Sequence, residues 1–371
     1  MGKLFRPLLH DRFLHLLLLL GLLLAGFSSF SLRELPAAVD WPTIITLCGL
    51  LMLTKGIETS GYFDAVGRRL VRHFHHQRSL ALFLTFAAAL LSTFLTNDVA
   101  LFILVPLTLS LRRYAALPVS RLIIFEALAV NAGSLLTPMG NPQNILLWRQ
   151  GEAGFIAFIG QMLPLAAALV SSLMLLTFIC FPRRHIALTD QQDPSVWQRP
   201  LLIASVLLYL LFVVSLELDQ ALWGMLAIFV VFLIMARRIL LELDWSLLLV
   251  FIAMFVDVFL LTRLPALASL PEQVTEMPQG GHYLLAVGLS QLISNVPATI
   301  LLLSTLPANT LLAWAVNIGG FGLLPGSLAN IIALRMAKDR RIWWHFHLYS
   351  LPMLLWATGV GWGLFILMHA G

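Results

Sequence analysis

Apolar residues follow one another in stretches of about 18–28 residues, divided by short segments that hold most of the charge. The stretches at 13–30, 41–61, 155–181, 201–216, 219–236, 245–262 and 343–368 have the length and uniformity of membrane helices. Two further runs are interrupted. Residues 129–145 read AVNAGSLLTPMGNPQNI and residues 315–331 read AVNIGGFGLLPGSLANI, and the two align without a gap. In lipid a helix can be broken only where protein or a watery cavity satisfies the freed backbone groups. Two such breaks at corresponding points of two half-sequences form the pattern of a transporter's midplane binding site.

The stretch 80–111 would be about 48 Å long as a single helix, against a hydrocarbon core of about 30 Å. Arg78 precedes it and Arg112 and Arg113 follow, which places both ends on one side. The segment therefore reads as a re-entrant hairpin turning at Thr96-Asn97-Asp98. A second hairpin is expected over 282–306, turning at Ser294-Asn295-Val296-Pro297, because LSTFLTNDVA (91–100) aligns with LSQLISNVPA (289–298). Asp40-Trp41 likewise recurs as Asp244-Trp245, and the same offset matches 13–30 with 217–234, so the first run reads as a retained helix rather than a signal peptide. A basic loop with Arg68, Arg69, Arg72 and Arg78 follows the second helix. The stretch 183–199, with Asp190, Asp193 and Pro194, reads as a polar linker between the halves.

These features predict an all-α polytopic membrane protein with about nine spans. The expected order is a first repeat over 1–182 with its hairpin at 80–111 and broken helix at 121–148, a linker and connecting helix over 183–216, and a second repeat over 217–371 with its hairpin at 282–306 and broken helix at 309–335. The unpaired helix at 201–216 inverts the second repeat relative to the first. With the N-terminus in the cytoplasm and the C-terminus in the periplasm, only Arg33, Arg149 and Arg263 of the 23 Lys and Arg fall outside, while Lys55 lies inside a span.

Composition agrees with a membrane protein: 60% of the 371 residues are hydrophobic and 11% charged. The net charge of +5 sits in interhelical clusters, where it sets orientation, and argues against a nucleic-acid partner. Cys48 and Cys180 lie in apolar runs and suggest neither a disulfide framework nor a zinc site. Neither HExxH nor GxSxG occurs, which argues against an intramembrane protease or hydrolase. No cofactor is expected.

The expected chemistry is that of helix ends. A break leaves unpaired N–H groups on one side and unpaired C=O groups on the other; the first can hold an anion and the second Na⁺. The candidate site comprises Thr96, Asn97 and Asp98, Asn131, Gly133, Thr137, Gly140, Asn141 and Asn144, with Ser294, Asn295, Asn317, Gly319, Gly322, Gly326, Ser327 and Asn330. The alternative is that Gly and Asn merely permit close helix packing and cap kinks. Asp98 is the ionisable member, a coupling group or only a hairpin cap. Glu126 and Asp257 are further intramembrane acids, and Lys55 is expected to pair with Asp257.

The strings TNDVALFILVPL, GSLLTPMGNPQN and SNVPATILLL resemble the signature segments of the ion transporter superfamily, which includes arsenite/antimonite exporters, NhaD-type sodium/proton antiporters and CitM-type citrate carriers. The resemblance extends over almost the whole chain and is strong to the YbiR-type bacterial inner-membrane transporters. It implies an elevator-type secondary transporter of the inner membrane, commonly a homodimer, whose moving site is formed by hairpin tips and broken helices. The superfamily's Ser-Asn-Thr tip motif reads Thr96-Asn97-Asp98 and Ser294-Asn295-Val296 here, which departs from the pattern for dicarboxylates.

No Lys or Arg occurs in 79–111, 122–148 or 264–334. A polyanion would need bound Na⁺ or H⁺ to compensate it, whereas a small oxyanion or organic acid could be held by helix ends. The expectation is transport of such an anion coupled to H⁺ or Na⁺. The competing transport reading is Na⁺/H⁺ or other cation/proton antiport through Asp98. The competing class is a passive channel, which needs a continuous polar file where this chain has apolar runs on both sides of its polar midplane.

Overall fold

A computed structural model describes residues 11–188, 198–218, 220–265 and 274–369. Its principal helices in chain order are α1 (Arg12–Phe27), α2 (Trp41–Thr59), α3 (Tyr62–His73), α4 (Gln77–Phe94), α5 (Asn97–Ser110), α6 (Val119–Ser134), α7 (Pro142–Gln150), α8 (Phe155–Cys180), α9 (Arg199–Glu217) and α10 (Ala221–Met235), followed by α11 (Trp245–Thr262), α12 (Gln279–Ile293), α13 (Asn295–Leu303), α14 (Thr310–Ile318), α15 (Leu328–Ala337) and α16 (Ile342–His369). Among the described residues five helices (α4, α8, α9, α11 and α16) are long and apolar enough to cross a membrane, or six if the bent pair Leu32–Ala38 and α2 counts as one span. The chain is thus an all-helical, multi-pass membrane protein. The expected count of about nine has to draw on shorter apolar helices, among them α1 and α10. At 18 residues α4 could cross alone, which is longer than the arm expected of a re-entrant hairpin.

The chain divides into two compact units, one comprising 1–65 and 193–270, the other 66–192 and 271–371. Each takes part of both sequence halves. In the first unit α2 packs against α9 and α10, and α1 against α11. The recurrent Asp-Trp has a physical cause there. Asp40 accepts from Thr43 N (3.4 Å) and Asp244 from Leu247 N (3.1 Å), so each caps a helix. The indole of Trp41 donates to Pro36 O (2.8 Å) and that of Trp245 to Leu240 O (3.0 Å), which fixes the chain entering each helix.

Two expectations are corrected. Lys55 does not pair with Asp257: it binds Glu58 (3.2 Å) and Glu242 (3.6 Å), because it lies at the charged end of α2. Asp257 is buried on α11 and faces Gly21 of α1, where a methyl group would touch Asp257 Oδ1 at 2.6 Å. The segment expected as a basic loop is largely helix α3, since Phe63, Gly67 and Val71 recur every four residues and give it a buried stripe. Of the linker, residues 189–197, with Asp190, Asp193 and Pro194, lie outside the described residues, as does the C-terminal Gly371.

The second unit holds every candidate site residue. Helix α6 packs on α4, α5, α8, α15 and α16, while α14 packs on α12, α13, α7 and α16. Each interrupted run contains a gap between two helices, α6 leading to α7 and α14 to α15, with a single 3₁₀ turn in each gap (Pro138–Gly140 and Leu324–Gly326).

Candidate functional site

Each broken helix stops where its own sequence no longer supports the i→i−4 ladder. In the first, Pro138 and Pro142 remove backbone donors, and α7 restarts on Asn141, whose Oδ1 accepts from Asn144 N (2.9 Å). In the second, Gly322 turns the chain at φ +96°, a conformation that glycine adopts without cost, and its carbonyl accepts from Ser350 Oγ (2.6 Å). Close approach accounts for the other glycines: a methyl group at Gly133 would strike the Ala89 carbonyl of α4, at Gly140 the Ser134 carbonyl, at Gly319 the Ser290 side chain of α12, and at Gly326 the Gly319 carbonyl.

The asparagines of the two breaks bond to one another in a crossed, reciprocal pattern. Asn131 on α6 donates to Asn330 Oδ1 on α15 (2.9 Å) and accepts from Ser327 Oγ (3.0 Å). The residues 186 positions away repeat this: Asn317 on α14 donates to Asn144 Oδ1 on α7 (2.7 Å) and accepts from Asn141 Nδ2 (2.9 Å). Each central asparagine also donates back to its own helix, Asn131 to Ala127 O (3.1 Å) and Asn317 to Ala313 O (2.8 Å). Asn330 Nδ2 donates to Gly320 O (2.9 Å), and Asn144 Nδ2 to Leu135 O (3.0 Å) and Thr137 O (2.9 Å), so orphan carbonyls of each break are satisfied from within the network. The first arm of each broken helix is thereby fastened to the second arm of the other.

The hairpins are pinned to the breaks with the same symmetry. Thr93 Oγ1 donates to Gly133 O (3.1 Å), and Gln291 Nε2, at the matching place in the second hairpin, donates to Gly319 O (2.8 Å). Thr137 Oγ1 donates to Thr93 O (2.7 Å), while Gln291 Oε1 accepts from Leu323 N (2.7 Å). Sequence reasoning missed Thr93 and Gln291, although both sit at the third place of the aligned strings LSTFLTNDVA and LSQLISNVPA. It also missed Gln143, buried on α7, which donates to Asn317 Oδ1 (3.3 Å) and leaves its own Oε1 enclosed without a partner. The residue 186 positions on is Ala329, so no repeat signal marked it.

At the tips the groups are freer. Thr96 caps α5 through Val99 N (3.4 Å), and Asn97 Oδ1 accepts from Asp98 N (2.9 Å). Asp98 Oδ1 is enclosed and without a hydrogen-bond partner. In the second tip Ser294 holds φ +73° and makes no side-chain cap. Asn295 Nδ2 lies 3.3 Å, and Asn131 Oδ1 3.4 Å, from the point where a methyl group on Gly320 would sit, so this tip reaches the Asn131 network. All the candidate residues belong to one unit, and the hydrogen bonds bring the two breaks and both hairpins together. No cluster of His, Cys, Asp and Glu with metal-holding geometry occurs among the described residues. What remains for a ligand is a set of neutral amides and hydroxyls, helix-end backbone and one carboxyl group, with no Lys or Arg in the segments that form it.

A family model described as citrate transporter matches residues 13–316. The chain is 58% identical to the inner membrane protein YbiR of Escherichia coli over 366 residues, covering 98% of both chains. It is 33% identical to an uncharacterized transporter of Methanocaldococcus jannaschii over 341 residues, 88% of this chain and 90% of that one. A shorter match, 30% over 161 residues, is to the silicon efflux transporter LSI3 of Oryza sativa, covering 43% of this chain and 33% of that protein.

Proposed function

Because the chain belongs to the citrate transporter family, we propose that it is a secondary active transporter of a small anion, an oxyanion or organic acid, driven by H⁺ or Na⁺ through an elevator-type displacement of its second unit. The observation that carries this reading is the convergence, inside one compact unit, of two broken helices and two hairpin tips around neutral amides and a single tip carboxyl group. Such an arrangement offers a partly desolvated ligand helix ends and hydroxyls and leaves charge compensation to a mobile ion. The family's description names citrate, an organic acid anion, which agrees with that chemistry. The Ser-Asn-Thr departure at both tips and the absence of Lys and Arg from the site segments favour a substrate with less charge than a tricarboxylate.

The topology belongs to the same proposal: two inverted repeats, about nine spans, N-terminus in the cytoplasm and C-terminus in the periplasm of a bacterial inner membrane. A homodimer is the expected assembly. The candidate residues from Thr96 to Asp98, Asn131 to Asn144, Ser294 to Asn295 and Asn317 to Asn330 form the ligand and ion region. A second reading, cation/proton antiport, is favoured by one observation, the enclosed and unpartnered Asp98 Oδ1, which could hold a proton or Na⁺ as the transported species.

A thermal-shift screen of the purified protein against small oxyanions, organic acids and monovalent cations, with and without Na⁺, tests the proposal. Stabilisation by an anion that deepens with Na⁺ or with lower pH supports it. Stabilisation by cations alone supports antiport. Single cysteines at Thr96 and Ser294, in a background lacking Cys48 and Cys180, should react with membrane-impermeant reagents in a substrate-dependent way; inert cysteines under every condition would contradict a water-accessible site.

A further inference from the structure

Two buried acids, Glu126 and Asp257, lie outside the region assigned to substrate, and Glu126 is the one in the second unit. Glu126 is the eighth residue of α6, about 10 Å along the helix from its basic end, and is 0% exposed. Its Oε1 is hydrogen-bonded to Thr108 Oγ1 of α5, also 0% exposed, and its Oε2 is enclosed without a partner. Packing does not demand an acid here. The residue 186 positions on from Glu126 is Leu312 of α14, which is buried, so a leucine fills that place in the matching half, and α13 ends at Leu303, before any place that would match Thr108. Only the first of the two halves places a carboxyl group here.

Among the described residues the hydrogen bond to Glu126 comes from Thr108 and not from a Lys, Arg or His. Of the elements packed on α5 and α6, α4 carries Arg78, which donates to Phe181 O (2.8 Å), and α8 carries Cys180. Arg121 of α6 itself donates to Cys180 O (3.0 Å). Helix α15 carries Arg335, and α16 carries His345, His347 and Tyr349, the last with its ring against Phe125 (5.1 Å). The turn from α5 to α6 carries Arg112 and Arg113, with Arg112 bonded to Ser120 (3.3 Å) and Ser120 to Asp339 (2.7 Å). Asp98 is at the far end of α5, about 15 Å along the helix from Thr108. The hydrogen bond to Glu126 comes from a hydroxyl, and a hydroxyl has a property that an ammonium group lacks: one atom can accept from a neutral acid and donate to its anion.

We propose that Glu126 and Thr108 form a proton-binding site in the second unit, separate from the hairpin tips. In the loaded form the Glu126 O–H donates to Thr108 Oγ1. On release the carboxyl O–H bond breaks, the proton passes to water at the basic end of α6, and the Thr108 O–H rotates to donate to the carboxylate. The chemistry balances with one proton and no other reactant. The site does not depend on which substrate the tips hold.

The test is infrared spectroscopy of the full-length protein in liposomes, titrated between about pH 5 and pH 9, the range that buried carboxyl groups can span, in H₂O and D₂O. The protonated-carboxyl C=O absorption should contain a component that fades as pH rises, is missing in Glu126→Gln and persists in Asp98→Asn and in Asp257→Asn. Thr108→Val should move the band to higher frequency by removing its hydrogen bond, and this variant decides the matter if Glu126→Gln fails to fold. Absorption indifferent to pH, a pH-dependent absorption that Glu126→Gln leaves undiminished, or a component that Thr108→Val leaves in place would each overturn the proposal.

Discussion

The two hairpin tips occupy matching places in the second unit but are differently built. The first is relaxed and capped: Thr96 has φ −69° and its hydroxyl accepts from Val99 N. The second has a buried serine at φ +73° and no side-chain cap. With ψ 153° this is a region occupied almost only by glycine; for a residue with a Cβ it costs about 1–3 kcal/mol, and it persists only where the surroundings impose it. The first tip carries an acid, Asp98, where the second has Val296, and the broken helix that follows carries Glu126 where its counterpart has Leu312. The asparagine network, by contrast, is the same in both halves to within a few tenths of an ångström. What repeats is the fastening of the breaks; what differs is the titratable chemistry. We therefore assign symmetric residues to holding the site in shape and asymmetric ones to coupling.

The largest effect that tests this division should come from the network itself. Asn317→Ala removes the donors and acceptor that serve Asn144, Asn141 and Ala313, and should destabilise the protein by about 2–4 kcal/mol, since each bond lost leaves a buried partner unsatisfied. Asn131→Ala should cost a similar amount. Unfolding of both variants in mixed micelles measures this, and a double-mutant cycle on Asn131 and Asn330 should return a coupling of about 1 kcal/mol or more. A cost confined to one half would break the symmetry.

A smaller and opposite pair of effects is expected at the tips. Ser294→Gly should stabilise by roughly 0.5–1 kcal/mol by relieving the left-handed backbone, whereas Thr96→Gly should destabilise by about as much through loss of the cap and added chain entropy. The same unfolding measurement reads both. Equal signs would mean that the tips are alike after all.

The smallest effect lies at the outer end of the first fastening. Ser120 on α6 donates to Asp339, between α15 and α16, and the residues 186 positions away, Leu306 and Ala153, offer no such pair. The Ser120 hydroxyl, with the Arg341 amide, holds the Asp339 carboxyl below its usual range. An acid so lowered on folding stabilises above its unfolded pKa, and the contribution is lost as pH falls through the folded value. Ser120→Ala should therefore reduce stability slightly at neutral pH, and the difference should vanish in acid. A difference constant with pH would remove Asp339 from the explanation.

Much of this was legible in the sequence because breaks in apolar runs are rare and costly, and the offset between AVNAGSLLTPMGNPQNI and AVNIGGFGLLPGSLANI already matched each asparagine to its symmetric equivalent. The bonds between them were not legible. They join Asn131 to Asn330 and Asn317 to Asn144, across almost the whole sequence of the second unit, and no local pattern encodes a crossed partner. Gln143 was passed over because it has no repeat. Helix α3 was read as a loop because its basic residues masked the buried stripe of Phe63, Gly67 and Val71. Lys55 was given the wrong partner because distance in sequence says nothing about which helix faces carry Asp257 and Glu242.

The assignment of coupling to the unsymmetric acid is tested most directly by transport in proteoliposomes, with the substrate that the thermal-shift screen identifies, comparing Asp98→Asn with the unmodified protein across pH and Na⁺ concentration. The variant should be folded and inserted, and its transport should have lost its dependence on pH if Asp98 carries a proton, or on Na⁺ if it stays ionised as a ligand. Transport by Asp98→Asn with both dependences unaltered would contradict that assignment, since Thr96 and not Asp98 caps α5 and no other role would be left to the carboxyl group.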